Sequence, residues 1–144
     1  MLSQKARYAL HALIVLTEHD GAEPMMIADI AEKADLPRKF LEQILLELKK
    51  RGIVRSMRGR AGGYLLGRPP AKISFAEIIR VIDGPLALSP CVSVTAYRRC
   101  DDCHDEKTCA IRKVLLAARD ATAEVLESRT LAQAVTASRR RRAA

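Results

Sequence analysis

Four cysteines lie within one short, polar stretch of this 144-residue chain. Their spacing is C-x8-C-x2-C-x5-C, at Cys91, Cys100, Cys103 and Cys109. Cysteine thiolates bind zinc and iron–sulfur clusters, and a reactive thiolate can also act as a redox switch. Residues 90–109 show no apolar periodicity, so a hydrophobic core is not expected to order them. The pattern predicts a metal or redox site in this segment.

The spacing leaves three kinds of cysteine chemistry open. Zinc sites usually present their cysteines as close C-x2-C pairs, and this chain has one such pair, Cys100 and Cys103. An iron–sulfur cluster is typically held by cysteine thiolates. A thiol–disulfide switch is favoured by Arg98 and Arg99, which precede Cys100 and would lower the pKa of its thiol. Four unrelated buried cysteines are not expected, because the segment is too polar to bury them.

Basic residues are concentrated in the middle of the chain. From Arg38 to Arg68 there are nine Lys or Arg against two acids, Glu42 and Glu47, whereas the whole chain carries a formal charge of +8. Because DNA phosphates attract lysine and arginine, a local excess of this size favours DNA as the partner.

A helix is predicted at the start of this basic stretch, because apolar residues recur there at helical spacing (41, 44, 45 and 48). A shorter helix over 27–34 and a tight turn precede it, which is typical of a helix-turn-helix. Glutamate accepts a hydrogen bond from cytosine and glutamine can pair with adenine in the major groove. The candidate DNA contacts are therefore Arg38, Lys39, Glu42 and Gln43. Glu42 could instead pair with a neighbouring lysine.

A β-hairpin with a basic tip is predicted next. Residues 53–57 and 64–66 are prone to form strands, and a glycine-rich turn over 58–63 joins them. Arginines beside glycines can enter a minor groove or grip phosphates, because glycine lets the backbone approach closely. The candidate contacts in this wing are Arg58, Gly59 and Arg60.

The remaining elements are predicted to be helical. A first helix spans 3–18 with Ser3 as its cap and a turn at Asp20–Gly21, and another spans 74–82 with Ser74 as its cap. From Ala110 a long helix carries an apolar stripe near heptad spacing, at Ile111, Val114/Leu115, Ala118, Ala121/Thr122 and Val125. Such a stripe needs another helix, and a second copy of this chain would supply it in a twofold dimer suited to palindromic DNA.

The predicted fold class is mainly α with a small β-hairpin wing, a winged helix-turn-helix followed by a long C-terminal dimerisation helix. The expected divisions are a DNA-binding domain over 1–84, a cysteine-rich sensor loop over 85–109, a dimerisation region over 110–137, and a disordered basic tail over 138–144. No signal peptide or membrane-spanning run is evident, so a cytoplasmic location is expected. An enzyme is not expected, because the chain has no Ser-His-Asp set, phosphate-binding glycine loop or paired carboxylates.

Together these features resemble the winged-helix regulators typified by IscR, NsrR, RirA and CymR. The resemblance rests on KARYA at 5–9, IADIA at 27–31, FLEQ at 40–43, the wing at 54–64, VIDGPL at 81–86, and the cysteine loop before a long helix. It implies a dimeric transcription factor, expected to be a repressor. Its operator affinity would be controlled by a 2Fe–2S or 4Fe–4S cluster that senses iron, redox or nitric oxide status.

The resemblance also implies roles for individual residues. Glu42 matches the glutamate of the family's recognition helix, and Arg58 matches the arginine of its wing. Cys91 and Cys109 match the first and last cysteines that hold the cluster. Cys103 stands at the family's C-x5-C spacing before Cys109. Cys100 is an additional candidate. Neither of the family's known non-cysteine ligands is present, because Arg112 and Arg7 occupy those positions. Two ligand sets remain: all four cysteines, or three cysteines with a fourth ligand from His104, Asp101, Asp102, Asp105 or Glu106. Two alternatives stay open: a cluster-free thiol or small-molecule regulator, as in the CymR branch, and a zinc-stapled interaction module.

Overall fold

The fold is a small helical core with one β-hairpin, described by a computed structural model over residues 1–19 and 22–144. Two single-turn 3-10 helices lie at Pro70–Lys72 and Pro90–Val92. The helices and strands are α1 (Gln4–His19), α2 (Ile27–Ala34), α3 (Arg38–Lys50), β1 (Val54–Met57), β2 (Gly63–Leu66), α4 (Phe75–Asp83), α5 (Ala110–Ser128) and α6 (Leu131–Ala143). The predicted fold class is confirmed. The predicted turn at Asp20–Gly21 lies outside the described residues.

Helix α1 is the centre of the core. Its buried face is lined by Ala6, Ala9, Ala12, Leu13, Leu16 and Thr17. The small alanine side chains let α2, α3, α4 and α6 all pack closely against it. The Ser3 hydroxyl accepts a hydrogen bond from the backbone N–H of Ala6 at 3.0 Å, which confirms the predicted cap.

Helices α2 and α3 form the predicted helix-turn-helix. Asp35 closes the turn in the left-handed conformation, with φ of 53°, and its N–H and that of Leu36 bond to carbonyls in the last turn of α2. Helix α3 then buries Leu41, Ile44, Leu45 and Leu48 and exposes the opposite face. The burial of this stripe fixes which side chains of α3 face outward.

The hairpin is attached to the core through Met25. Strands β1 and β2 pair antiparallel from Val54↔Leu66 to Met57↔Gly63. Tyr64 of β2 also exchanges two backbone hydrogen bonds with Met25, of 2.9 and 2.7 Å. Gly63 is required there, because a Cβ at that position would collide with the Met25 carbonyl. The wing is therefore held on the core by backbone pairing.

Helix α4 begins at the predicted cap. The Ser74 hydroxyl accepts from the N–H of Glu77 at 3.2 Å. The Glu77 carboxylate pairs with Arg68 at the end of the wing. At the other end of α4, the Asp83 carboxylate accepts from the N–H of Ser3 at 2.9 Å, which ties α4 to the start of α1.

Helix α6 includes the four arginines that were expected to form a disordered tail. Thr130 and Gln133 form a reciprocal capping box at its start, and Leu131 and Val135 are buried. Alanine and arginine both favour helix, so the helix continues once it is anchored. Arg139 also donates to the carbonyl of Glu18, at 3.3 Å.

Across residues 1–19 and 22–144, no helix is both long enough and apolar enough to cross a membrane.

Candidate DNA interface and cysteine site

The exposed face of α3 carries all four predicted recognition residues. Arg38, Lys39, Glu42 and Gln43 are all exposed. Glu42 pairs with Arg38 one helical turn earlier, with 3.5 Å between Oε1 and Nε, and not with a lysine. Both side chains stay more than half exposed, at 58% and 63%, so this ion pair contributes little to stability. The two groups can therefore separate at small cost to engage a phosphate or a base.

An aromatic pair that the sequence analysis did not predict lies beside these residues. Phe40 is 56% exposed, and its ring centroid is 6.5 Å from that of Tyr8 on α1. The Gln4 amide donates to the Tyr8 hydroxyl at 2.8 Å. The only sequence signal for this contact is that Phe40 is apolar but lies off the buried stripe of α3. The pair packs α1 against the start of α3, next to the recognition residues.

The tip of the wing presents two free cations. Arg58, Gly59 and Arg60 are exposed, and Gly59 adopts a φ of +110° that favours glycine. The carbonyl of Gly59 accepts from the N–H of Gly62 at 3.0 Å, which closes the turn. Within the described part of the chain neither arginine forms an ion pair. Both guanidinium groups are available to an external anion.

The wider surface around α3 and the wing is positive. Eight of its basic residues are exposed: Arg38, Lys39, Lys49, Lys50, Arg51, Arg55, Arg58 and Arg60. Of the two acids in this region, Glu47 is paired with Lys5 of α1 and Glu42 with Arg38. Negative charge on this face is therefore locally neutralised, which leaves an interface suited to nucleic acid.

The four cysteines line one cavity of about 540 Å³ beside the start of α5. Cys91 lies in the 3-10 turn, and Cys100 and Cys103 lie in one tight turn in which the N–H of Cys103 donates to the carbonyl of Cys100 at 3.1 Å. Cys109 caps α5, and its Sγ accepts from the N–H of Arg112 at 3.4 Å. The sulfur of Cys109 therefore lies at the N-terminus of α5, in the wall of the cavity.

The cysteine loop is ordered by arginine side chains that donate to its carbonyl groups. Arg119 of α5 reaches the carbonyl of Val92 at 2.8 Å, and Arg112 reaches that of Cys91 at 3.4 Å. Arg99 reaches the carbonyl of Cys103 at 3.0 Å. The expectation that this segment cannot bury a cysteine is wrong for Cys91, which is only 5% exposed, because α5 and the 3-10 turn cover it.

Ser89, which the sequence analysis did not select, connects two of the cysteines. Its hydroxyl lies 3.4 Å from the sulfur of Cys91 and 3.3 Å from that of Cys100. Hydrogen bonds from Ser89 and then from Cys91 lower the pKa of the Cys100 thiol, partly opposed by desolvation and by Asp102. The expected lowering is present, but its cause is the Ser89 hydroxyl and not Arg98 or Arg99.

The cysteines surround the cavity without converging on one point. Among the described residues no three Cys, His, Asp or Glu side chains are close enough together to hold a single metal ion. A zinc site requires four ligands at about 2.0–2.3 Å from one centre. The described residues therefore do not form a zinc site of this geometry in the structure.

A model of the Rrf2 family, described as "Iron-dependent Transcriptional regulator", matches residues 2–137. The chain belongs to the Rrf2 family. An rrf2-like HTH-type transcriptional regulator of Rhodobacter capsulatus is 50% identical to this Rrf2 chain over 117 residues, which cover 79% of this chain and 78% of that protein. Relatives of this kind are named as transcriptional regulators, so this Rrf2 chain is a DNA-binding regulator and not an enzyme.

Solved structures show the same fold. The CymR structure from Bacillus subtilis, named as the global cysteine regulator, has a TM-score of 0.78 and 34% identity, covering 94% of this Rrf2 chain and 96% of that chain. IscR from T. potens has a TM-score of 0.74 and 31% identity, covering 96% and 88%. The winged helix-turn-helix of this chain is therefore the Rrf2 arrangement.

We expect Arg58→Ala to weaken DNA binding whatever the state of the cysteines. Loss of a guanidinium contact should cost about 1–3 kcal/mol, or roughly 5- to 150-fold in Kd, measured by fluorescence anisotropy on a duplex selected from a random pool by the wild-type protein. Arg129→Ala, which removes an exposed arginine at the end of α5, is the matched control. Equal affinities for Arg58→Ala and wild type would show that the wing does not contact DNA.

We expect Ser89→Ala to raise the pKa of the Cys100 thiol. In metal-free protein, the rate of Cys100 alkylation by iodoacetamide should reach half its maximum at a lower pH than for an ordinary thiol, because the thiolate is the nucleophile. The Ser89→Ala midpoint should move to higher pH, as followed by mass spectrometry of the Cys100 peptide. Thr95→Ala removes a hydroxyl elsewhere on the loop and should leave the midpoint in place. A midpoint unaffected by Ser89→Ala would rule out the hydroxyl as the cause.

Proposed function

We propose that this Rrf2 regulator is a homodimeric repressor whose operator affinity is set by an iron–sulfur cluster held in the cysteine cavity. The observation that carries the proposal is that all four cysteines line one cavity at the start of α5. That position links the sensor to the helix best placed for dimerisation. The cluster assignment rests on the residues around the cavity and on the family resemblance.

The residues present fit an anionic, thiolate-held group. Cys91, Cys100, Cys103 and Cys109 would hold the cluster, which matches the all-cysteine ligand set common to such clusters. One of them, Cys109, is a helix cap, and the side-chain Nε of Arg112 is buried in the cavity wall without a partner. When bound, a cluster supplies a redox-active iron centre whose potential depends on its surroundings.

The exposed face of α5 supports the proposed dimer. None of the 19 residues of α5 is buried, although Ile111, Val114 and Val125 are apolar and 71%, 68% and 58% exposed. Their spacing follows the heptad pattern of a helix that pairs with another helix. A second copy of α5, related by a twofold axis, would cover this face and would match a palindromic operator.

Helix α5 would transmit the state of the cysteine cavity to the DNA-binding half. Its first turns contact the cysteine loop through Cys109, Arg112 and Arg119. Its last residues are tied to α4: Arg80 and Glu127 pair at 2.6 Å, and the carbonyl of Arg129 accepts from the N–H of Phe75 at 3.0 Å.

A change in the order of the loop would therefore shift α5 relative to its partner and alter the spacing of the two recognition helices. The two spacings are the states of a bistable element, and the cysteine site would bias the equilibrium between them.

A cluster-free thiol regulator is the second candidate, and the Ser89 bridge between Cys91 and Cys100 favours it. A low-pKa thiol beside another thiol is suited to oxidation by a peroxide or a disulfide. The similar CymR structure is named as a cysteine regulator, which is consistent with this alternative. The zinc-stapled module has less support, because no compact group of three ligands is present in the described residues.

We expect protein purified without oxygen to be brown and to contain iron and acid-labile sulfide. Cys103→Ala should lose most of the visible absorbance and most of the iron while keeping the far-ultraviolet circular dichroism of wild type, because the cysteine loop lies outside the winged-helix core. Thr95→Ala is the control on the same loop. Colourless wild-type protein that stays without iron and sulfide after reconstitution would refute the cluster and would leave the thiol regulator.

We expect Val114→Glu to dissociate the dimer, because the charge would lie in the apolar seam. The dimer dissociation constant, measured by sedimentation velocity over a range of concentrations, should rise at least about tenfold, or about 1.4 kcal/mol. The control is Lys113→Glu, which changes the neighbouring exposed residue outside the apolar stripe. This variant should change the dimer dissociation constant little. A wild-type protein that is monomeric at all concentrations would contradict the proposed seam.

A further inference from the structure

Arg112 occupies an unusual position in the cysteine cavity. Its Nε atom is the one buried side-chain nitrogen or oxygen without a hydrogen-bond partner among the described residues. The same side chain donates through one terminal nitrogen to the carbonyl of Cys91, at 3.4 Å. Arg112 also lines the cavity that all four cysteines share. A guanidinium donor is therefore held in the wall of the cysteine site with hydrogen-bonding capacity unused.

The positive charge of Arg112 also lacks a carboxylate partner. The guanidinium is permanently protonated and Arg112 is half-buried, so leaving the partly desolvated charge without an anion is unfavourable. Within the described residues Arg112 forms no ion pair, although Asp102 and Asp105 also line the cavity. Asp105 accepts from the N–H of Lys107 and from the Thr108 hydroxyl, at 3.0 and 3.1 Å, so its carboxylate is already engaged. The other carboxylate that lines the cavity, Asp102, forms no ion pair with Arg112 in the described part of the chain.

We propose that Arg112 is the residue that places a positive charge beside the cluster, and that it thereby raises the reduction potential of the cluster. This inference rests on the proposed function. Reduction adds one negative charge to a cluster, so a fixed cation beside it favours the reduced form. Net charge and hydrogen bonds to the sulfurs are among the factors that set such potentials. Arg112 acts through its charge and is not itself a ligand.

The position of Arg112 in the chain makes this role specific. It lies in the first turn of α5, where its backbone N–H already donates to the sulfur of Cys109. Its side chain reaches across to the backbone of Cys91. One residue therefore contacts the segments that carry the first and the last cysteine. The same contacts that orient these two cysteines also bring the charge next to them.

The test is a redox titration of anaerobically reconstituted full-length protein with dithionite as reductant, followed by visible absorbance. At a fixed potential, Arg112→Gln should raise the ratio of oxidised to reduced cluster at least tenfold. For a one-electron couple, this corresponds to a midpoint potential about 59 mV lower than that of wild type. Arg112→Lys keeps the charge and should stay near wild type. Arg98→Gln removes an exposed charge from the same loop and should have little effect, because solvent screens that charge.

The outcomes separate a charge effect from a purely structural one. A midpoint potential for Arg112→Gln equal to that of wild type would overturn the inference. If Arg112→Gln retains no iron and sulfide, Arg112→Lys decides: a loaded cluster with near wild-type potential supports the role of charge. Loss of the cluster from both variants would mean that Arg112 only holds the loop in place, and it would also overturn the inference. Wild-type protein without iron and sulfide would refute the proposed function itself, and this inference with it.

Discussion

The structure depends on the hydrogen bonds through which α5 holds the cysteine loop. Arg112 and Arg119 donate to the carbonyl groups of Cys91 and Val92, so two guanidinium groups add to the packing of these buried residues against α5. Because these donors are on α5, the loop and the helix cannot move independently.

The two ends of α5 connect different parts of the protein. The first turn contacts the cysteine cavity. The two residues between α5 and α6 join the start of α4, through the pairing of Thr130 with Ser74 and the hydrogen bond from the N–H of Phe75 to the carbonyl of Arg129. Helix α4 is joined in turn to the start of α1 through Asp83 and Ser3. Helix α1 packs on α3, which carries the recognition residues. Each step is a direct contact between rigid elements, so a displacement at the cysteine site has a physical route to the DNA-binding face.

The DNA-binding half could be predicted from the sequence because its signals are local. The stripe at Leu41 and Leu48 sets the exposed face of α3, Ser74 caps α4, and the glycines at the wing tip set the turn. The structure confirms these elements. The basic end of α6 was predicted incorrectly, because its helix depends on Leu131 and Val135 packing into the core, which a run of arginines does not indicate.

The details of the cysteine site could not be predicted in the same way, because they depend on tertiary contacts. Nothing in the sequence separates Ser89 from the other serines until the loop folds back and brings its hydroxyl to Cys91 and Cys100. Arg112 stands out in the sequence only because the resemblance implies a non-cysteine ligand at its position, and its buried Nε is visible only in the structure. Spacing predicted that the cysteines could share one site, but the groups around them set its chemistry.

The most direct test is the operator affinity of one anaerobic preparation, measured before and after its cluster is removed by air or nitric oxide. A duplex selected by the wild-type protein serves as the probe, and Cys103→Ala, carried through the same treatment, serves as the control. A sensor that acts through α5 predicts that Kd changes at least about tenfold for wild type, equivalent to about 1.4 kcal/mol, and stays constant for the control. A wild-type Kd that is the same before and after removal would contradict control of DNA binding by the cysteine site.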